Sequence, residues 1–242
     1  MPEASPHDAG VEGTALRGEG ARIRARIQRI VATTDTAAAI GSADNLLAEL
    51  YDRRSAEDDR LPLELREELA HEVLGIRTQL LLQDSSLAAG FRRDFVASIA
   101  PGAVWSDWKL KVPASITLAQ AILESSWGRV APGFNLFGLK GVGPAGSNRS
   151  NVVEYQRNKR KVKKANFRAY TSFDGALEDH ARILSTSRHY ARARAVSEDV
   201  AAYARALQGT YATDPRYAQK LIAMVDRYDL ARFDWTPRTP WK

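Results

Sequence analysis

The sequence predicts a mainly α-helical protein in two parts, the second of which carries a small β-hairpin. Three observations lead there. Apolar residues recur at spacings of three and four through most of the chain, the period of helices that bury one face. One stretch reads instead as a hairpin, with Val152, Val153 and Tyr155 on one arm, Val162, Phe167 and Tyr170 on the other, and a polar turn at 157–161 between them. The charge also changes sign near Gly90: residues 1–90 hold 10 Arg, no Lys and 16 acids, net −6, whereas residues 91–242 hold 25 bases and 13 acids, net +12. Such a shift marks a domain boundary, and a basic second domain expects an anionic partner such as nucleic acid, an acidic membrane or an anionic polymer.

Residues 1–20 mix Pro, Gly, Glu and Ala without periodic apolar positions and are expected to form a flexible tail. From Ala21, Ile23, Ile27, Ile30 and Val31 share a helical face. Asn45–Tyr51 forms a second apolar stretch, and Pro62 opens a third helix carrying Leu65, Leu69, Val73, Ile76 and Leu80. Residues 21–88 thus make an acidic helical region without a catalytic cluster. Asp84, Ser85, Ser86 and Gly90 form the joint. A helix over Phe91–Ile99 is expected to end before Pro101 and Gly102, and another opens at Pro113 and Ser115 and runs out at Trp127 and Gly128. Residues 129–150 form a Gly-rich loop holding Phe134, Leu136 and Phe137. After the hairpin, helices follow with Ala176, Leu177, His180, Ile183 and Leu184, then Val200, Tyr203, Ala204 and Leu207, then Tyr217–Tyr228. The second domain spans 91–231, and 232–242 reads as a C-terminal tail.

Several classes are excluded at once. No window of about 18 apolar residues exists, so no membrane span is expected. The first ten residues lack the basic and apolar regions of a Sec signal peptide, so export by a non-Sec route or release by lysis is expected. Without cysteine there is no disulfide, thiolate metal site or cysteine nucleophile, and the sequence offers no metal site and requires no cofactor.

Glu124 breaks a local rule. It falls on the last turn of its helix, the end where the macrodipole favours cations, and a residue misplaced for stability points to function. Cleavage of a glycosidic bond needs a carboxylic acid to protonate the leaving oxygen, commonly with a second carboxylate across the sugar. Glu124 and Glu154 are the natural pair, one at a helix end and one in the hairpin. Spacing alone also allows an ordinary surface acid and an ordinary strand charge.

The strings AQAILESSWG (119–128), NLFGLKG (135–141), EYQ (154–156), ANFRAY (165–170) and YATDPRYAQKL (211–221), in that order, resemble the glucosaminidase domain of glycoside hydrolase family 73 across roughly residues 91–231. The resemblance implies a lysozyme-like fold with a small β-lobe, and an endo-β-N-acetylglucosaminidase cleaving the β-1,4 bond between N-acetylglucosamine and N-acetylmuramic acid in peptidoglycan. It places the general acid on Glu124. Glu154 matches a lobe carboxylate that activates water, and Tyr211 a tyrosine that lines the site and orients the acetamido group or stabilises positive charge. Direct inversion and an acetamido-assisted reaction both remain open. Asn135, Phe137 and Lys140 match a glycan-cleft loop, Tyr155 follows the lobe carboxylate as a substrate contact, and Trp127 either stacks on a sugar or packs in the core. The departure from the family pattern is RNKRKVKK at 157–164, where a glycine turn is common.

Remaining features take ordinary readings. Asp214 caps the next helix. His180, in register with Leu177 and Leu184, is a satisfied structural histidine, and His71 has a surface or packing role. The basic run lacks the aromatics of single-strand binders, so it is a solvated tip or a contact to anionic wall polymer, with no nucleic acid partner expected. The expected site of action is the periplasm or cell wall, with residues 21–88 docking to a secretion, phage or flagellar partner. The competing reading is a catalytically silent wall-binding or structural module of such an apparatus.

Overall fold

A computed structural model describes residues 6–52, 61–83, 87–156 and 159–235, with the side chains of 6–17 and 151–163 left out of the description. The chain divides into two compact units at Asp84/Ser85.

Unit 1 is three helices: α1 (Pro6–Ala32), α2 (Thr36–Asp52) and α3 (Leu63–Gln83). Ile23, Ile27 and Ile30 of α1 meet a core of Leu46, Leu47 and Leu50 of α2 with Leu69, Val73 and Leu74 of α3, all at most 5% exposed. Ion pairs rim this core: Arg26 to Glu49 at 2.5 Å and Arg77 to Asp44 at 2.6 Å. The helix starts at Pro6, earlier than the tail expected through residue 20. Once the packed turns from Gly20 onward nucleate it, each further residue adds one hydrogen bond at little cost.

Unit 2 is built around one buried helix, α5. It follows α4 (Phe91–Leu110) and itself spans Ala114–Ser125, ten of whose twelve residues are buried. Helix α4 does not stop at Pro101 as the Pro-Gly pair predicts. Ala100, Ala103, Val104 and Trp108 are all fully buried, and their burial carries the helix through the missing hydrogen bond. Gly102 has a packing reason instead, because a Cβ there would stand 2.8 Å from Leu177 Cδ1 of α6 (Phe173–Thr186). The N-terminus of α5 has no cap of its own, since Pro113 occupies the cap position. Distant carboxylates replace it: Asp234 accepts from Ser115 N at 2.8 Å and Ser115 Oγ at 2.9 Å, and Asp107 accepts from Ala114 N at 3.3 Å and Trp235 N at 3.0 Å. The C-terminal tail expected from residue 232 is therefore core as far as Trp235, with Phe233 fully buried, because Asp234 is tied to α5. Residues 236–242 lie outside the described residues.

Strands β1 (Ser147–Gln156) and β2 (Lys159–Arg168) pair antiparallel from Ser147 opposite Arg168 to Gln156 opposite Lys159. Lys159–Lys161, expected in the turn, belong to the strand, because pairing with β1 overrides the weak β-propensity of lysine. Helices α7 (Ala191–Arg194), α8 (Val200–Leu207) and α9 (Tyr217–Arg227) complete the unit. Asp199 caps α8 through Ala202 N at 2.9 Å, and α9 packs Tyr217, Leu221 and Val225 inward, next to α5. Among the described residues, no helix is long and apolar enough to cross a membrane.

Candidate active site

The site grows from the C-terminal end of α5. Ser126 (φ 51°), Trp127 (φ 64°) and Gly128 (φ 75°) are three successive left-handed residues. Two of them carry a Cβ, at a cost of about 1 to 2 kcal/mol each. The turn is over-determined: Trp127 N donates to Ile122 O at 3.1 Å, and Ser125 Oγ donates to Ala121 O at 2.5 Å while accepting from Gly128 N at 2.7 Å. A Cβ on Gly128 would stand 2.6 Å from Phe95 Cε2, so the turn also presses against α4. This abrupt stop leaves Glu124 at the rim of the helix, exposed, while Ile122 beneath it is buried.

A directed chain of hydrogen bonds ends on Glu124. Its Oε1 accepts from Tyr217 OH at 2.9 Å, Tyr217 Oη accepts from Gln120 Nε2 at 3.0 Å, and Gln120 Oε1 lies 3.1 Å from His180 Nε2. Gln120 is one helical turn before Glu124, so both project from the same face of α5. Desolvation raises the Glu124 pKa above the ordinary carboxylate value, against a smaller lowering by the Tyr217 hydrogen bond and the charge of Lys220. A carboxyl that keeps its proton longer is what a general acid requires. Burial and the charge of Glu124 raise Tyr217, which holds its phenol protonated as a donor. Burial pushes His180 down to about 3, so its ring is neutral at physiological pH.

Aromatic rings wall this chain. Phe137 stacks on His180 at 3.8 Å and 13°, Tyr211 meets His180 edge-on at 6.0 Å, and Tyr211 stacks with Tyr217 at 5.8 Å and 15°. The hydroxyl of Tyr211 donates to Phe137 O at 3.0 Å, which ties the loop after α5 to the segment before α9. Asn135 is 4% exposed, and its amide is spent on the backbone: Nδ2 donates to Leu139 O and Arg168 O, both at 2.9 Å, and Oδ1 accepts from Leu139 N at 3.0 Å. These bonds lay Leu139–Gly141 along the free edge of β2, with Lys140 bridged to Phe167 and exposed.

Asp179 clamps the base of the hairpin. Arg168 Nη1 reaches it at 2.6 Å, Tyr170 OH at 2.7 Å, and Arg182 pairs with its other oxygen. Desolvation opposes ionisation there, but the three donors together outweigh it and hold Asp179 below its ordinary value. Trp127 sits apart in an aromatic cluster. It lies edge-on to Tyr228 at 4.8 Å and to Phe95 at 6.3 Å, with the Arg92 guanidinium 5.2 Å from its ring.

Of the residues expected from sequence, Glu124 and Tyr211 come together with Phe137 around one wall, Asn135 and Lys140 build the adjoining loop, and Trp127 packs. The backbone of Glu154 lies in β1 opposite Lys161, and Tyr155 is opposite Arg160. The side chains of both lie outside the described residues. Asp214 does not cap α9, whose N-cap position is Arg216 with no side-chain cap; it accepts from Arg216 N at 2.8 Å in the turn before the helix and pairs with Lys220. Sequence reasoning missed Tyr217, Gln120 and Asp179. For Gln120 a signal existed, a polar residue in an apolar helix four positions before Glu124. Tyr217 was visible as the second tyrosine of YATDPRY. Among the described residues, no three His, Asp or Glu side chains converge to hold a metal ion.

Comparison with known proteins agrees with this geometry. The glucosaminidase family model, described as mannosyl-glycoprotein endo-beta-N-acetylglucosaminidase, matches residues 102–230, more than half of the chain. The exo-glucosaminidase LytG of Bacillus subtilis is 41% identical over 134 residues, which cover 52% of this chain and 48% of LytG. A probable N-acetylmuramidase of Lactococcus lactis is 37% identical over 170 residues, covering 64% and 39%. The peptidoglycan hydrolase FlgJ of Escherichia coli O157:H7 is 30% identical over 220 residues, covering 83% and 70%. The chain thus spans about two fifths to half the length of the first two relatives. Among solved structures, the catalytic domain of the autolysin Auto from Listeria monocytogenes superposes with a TM-score of 0.55 at 34% identity, over 62% of this chain and 92% of that domain. With its buried central helix, two-stranded lobe and matched motifs, the chain belongs to the glucosaminidase family, glycoside hydrolase family 73, whose fold is lysozyme-like.

Proposed function

We propose that the chain is an endo-β-N-acetylglucosaminidase that hydrolyses the β-1,4 bond between N-acetylglucosamine and N-acetylmuramic acid in peptidoglycan. The observation that carries this is Glu124, a desolvated acid at a helix end, with one oxygen held by Tyr217 and the residue open to solvent. In the reaction the Glu124 proton passes to the glycosidic oxygen as the C1–O bond breaks, and the sugar takes on oxocarbenium character. Water then attacks C1 from the opposite face, giving up its proton to Glu154 on the lobe, so the anomeric configuration inverts. The acetamido-assisted route, which gives net retention, is the rival. Tyr211 presents its ring to the site while its hydroxyl is bound to Phe137 O, and Asn135 and Phe137 shape the cleft loop. Lys140 is free to reach a glycan, and Trp127 serves packing. A silent wall-binding module would have no use for a desolvated acid on an over-determined turn.

Peptidoglycan hydrolase names among the relatives support action on the cell wall, and the FlgJ relatives support a flagellar setting as one context for delivery. In this reading the acidic unit 1 docks to the delivery apparatus and unit 2 cleaves. Digestion of purified peptidoglycan tests the reaction. N-acetylglucosamine should appear at the borohydride-reduced ends, with an inverted anomer by proton NMR, and Glu124→Gln should lower turnover by ~10² or more. N-acetylmuramic acid at those ends would make the protein a muramidase, a retained anomer would replace water attack by the acetamido group, and near wild-type turnover of the variant would remove Glu124 from its role.

A further inference from the structure

The hydrogen-bond chain behind Glu124 has two self-consistent polarities, and only one leaves the acid free to act. In the first, His180 donates Nε2–H to Gln120 Oε1, Gln120 donates Nε2–H to Tyr217 Oη, and Tyr217 donates its hydroxyl to Glu124 Oε1. The Glu124 proton then sits on Oε2, where a glycosidic oxygen can take it. In the reverse, the Gln120 amide is flipped and donates to His180, Tyr217 donates to Gln120, and Glu124 donates its own proton to Tyr217. The acid's proton is then held inside the protein.

We propose that Gln120 and His180 are positioning residues that hold this chain in the first polarity and so keep the transferable proton of Glu124 on Oε2. The proposal rests on Glu124 being the general acid. Three observations carry it. His180 is fully buried, and its Nδ1 has no hydrogen-bond partner among the described residues. The reverse polarity needs the Nδ1–H tautomer and so leaves a buried N–H without an acceptor; the first polarity leaves only a lone pair unpaired there. Turning the ring over would break the 3.1 Å contact of Nε2 to Gln120, and Phe137, stacked at 3.8 Å, and the edge-on Tyr211 hold the ring in its plane. Gln120 is fully buried and spends both ends of its amide, one on His180 and one on Tyr217, so fixing one end fixes the other. Each bond in such a chain polarises the next, and the effect accumulates on the last donor, Tyr217.

Among the described residues, the groups that bear electrostatically on the two ends are few. Glu124 feels Tyr217 and Lys220 of α9. His180 feels Asp179 on its own helix, with Gln120 of α5 in contact and the Phe137 and Tyr211 rings against it.

The tautomer is read directly by nitrogen-15 NMR of histidine-labelled full-length protein, with His180 assigned by a His180→Phe variant. A neutral ring protonated at Nε2 is expected from pH 5 to 8, and a ring protonated at Nδ1 overturns the proposal without any need for activity. Kinetics give the second arm. His180→Phe keeps the stacked ring but removes the Nε2–H donor, so each orientation of the Gln120 amide then leaves one end unpaired and the flipped one, whose Oε1 accepts from Tyr217, becomes accessible. The folded variant should lose about tenfold in kcat with KM nearly unchanged, since the acid then parks its proton on Tyr217. The same parking stabilises protonated Glu124, so the alkaline limb of kcat against pH should move to higher pH. Wild-type kcat and pH limb in the folded variant would show packing alone and overturn the proposal. A wild-type chain with no hydrolase activity would count against the proposed function, while the tautomer measurement would still decide the polarity.

Discussion

The two ends of α5 solve opposite problems with the same kind of residue. At its N-terminus two buried carboxylates, Asp107 and Asp234, sit where the helix dipole favours anions and satisfy Ala114 N, Ser115 N and Ser115 Oγ. At its C-terminus a third carboxylate, Glu124, sits where the dipole disfavours it, beside two left-handed non-glycine residues. The first end spends acids on stability; under the proposed function the second sets stability against chemistry. One rigid helix can carry the strained end because the other end is firmly anchored.

This contrast can be broken at either end. The largest effect belongs to Glu124→Gln, where the hundredfold or greater loss of turnover should come with an unchanged or slightly raised melting temperature, because an acid at a helix C-terminus has been neutralised. A clear loss of thermal stability would place Glu124 among the stabilising residues. Asp234→Ala should do the reverse. It leaves Ser115 N and Oγ unpaired in the core, costs about 2 to 4 kcal/mol in chemical denaturation, and preserves the specific activity of the folded fraction. A variant as stable as wild type would mean that the N-terminal anchor is dispensable.

A smaller effect separates the buried wall from both ends. His180, ordinarily near 6.5, is pushed down to about 3, so below pH 6.5 the unfolded chain binds a proton that the folded chain refuses. Stability should therefore rise with pH between about 3 and 6.5, with a slope from this group of at most about 1.4 kcal/mol per pH unit. Asp179, held low, adds a loss of the same sign as pH falls through its own folded value. Denaturation midpoints at pH 4.5 and 6.5 isolate the histidine, because His180→Phe should flatten the dependence by its share. An unchanged slope would show that the ring is protonated in the folded state.

How much was legible in the sequence varied with the range of the interaction. Glu124 was legible because the conflict with the helix end is local, and because ESSWG travels with four other strings. The hairpin arms were legible from their apolar residues, but the extent of β2 was not, since lysines gain strand conformation only from their partner strand. Pro101–Gly102 misled because a turn signal was overridden by burial, and Gly102 answers to Leu177, 75 positions away. Trp235 looked like tail because its anchor is Asp107, 128 residues earlier. Tyr217 lies on the apolar face of α9, and its periodicity is the same whether it faces core or site. Only the 2.9 Å bond to Glu124 tells them apart.

The central claim is that the surroundings of Glu124 make it harder to ionise than an ordinary carboxyl, and its own titration tests that most directly. Carbon-13 NMR of side-chain-carboxyl-labelled glutamates in the full chain, with Glu124 assigned by its absence in Glu124→Gln, gives the midpoint without substrate. The account predicts a pKa above the ordinary 4.5, moving higher still in Tyr217→Phe, where the bond that favours the carboxylate is lost. A midpoint at or below 4.5 would contradict it.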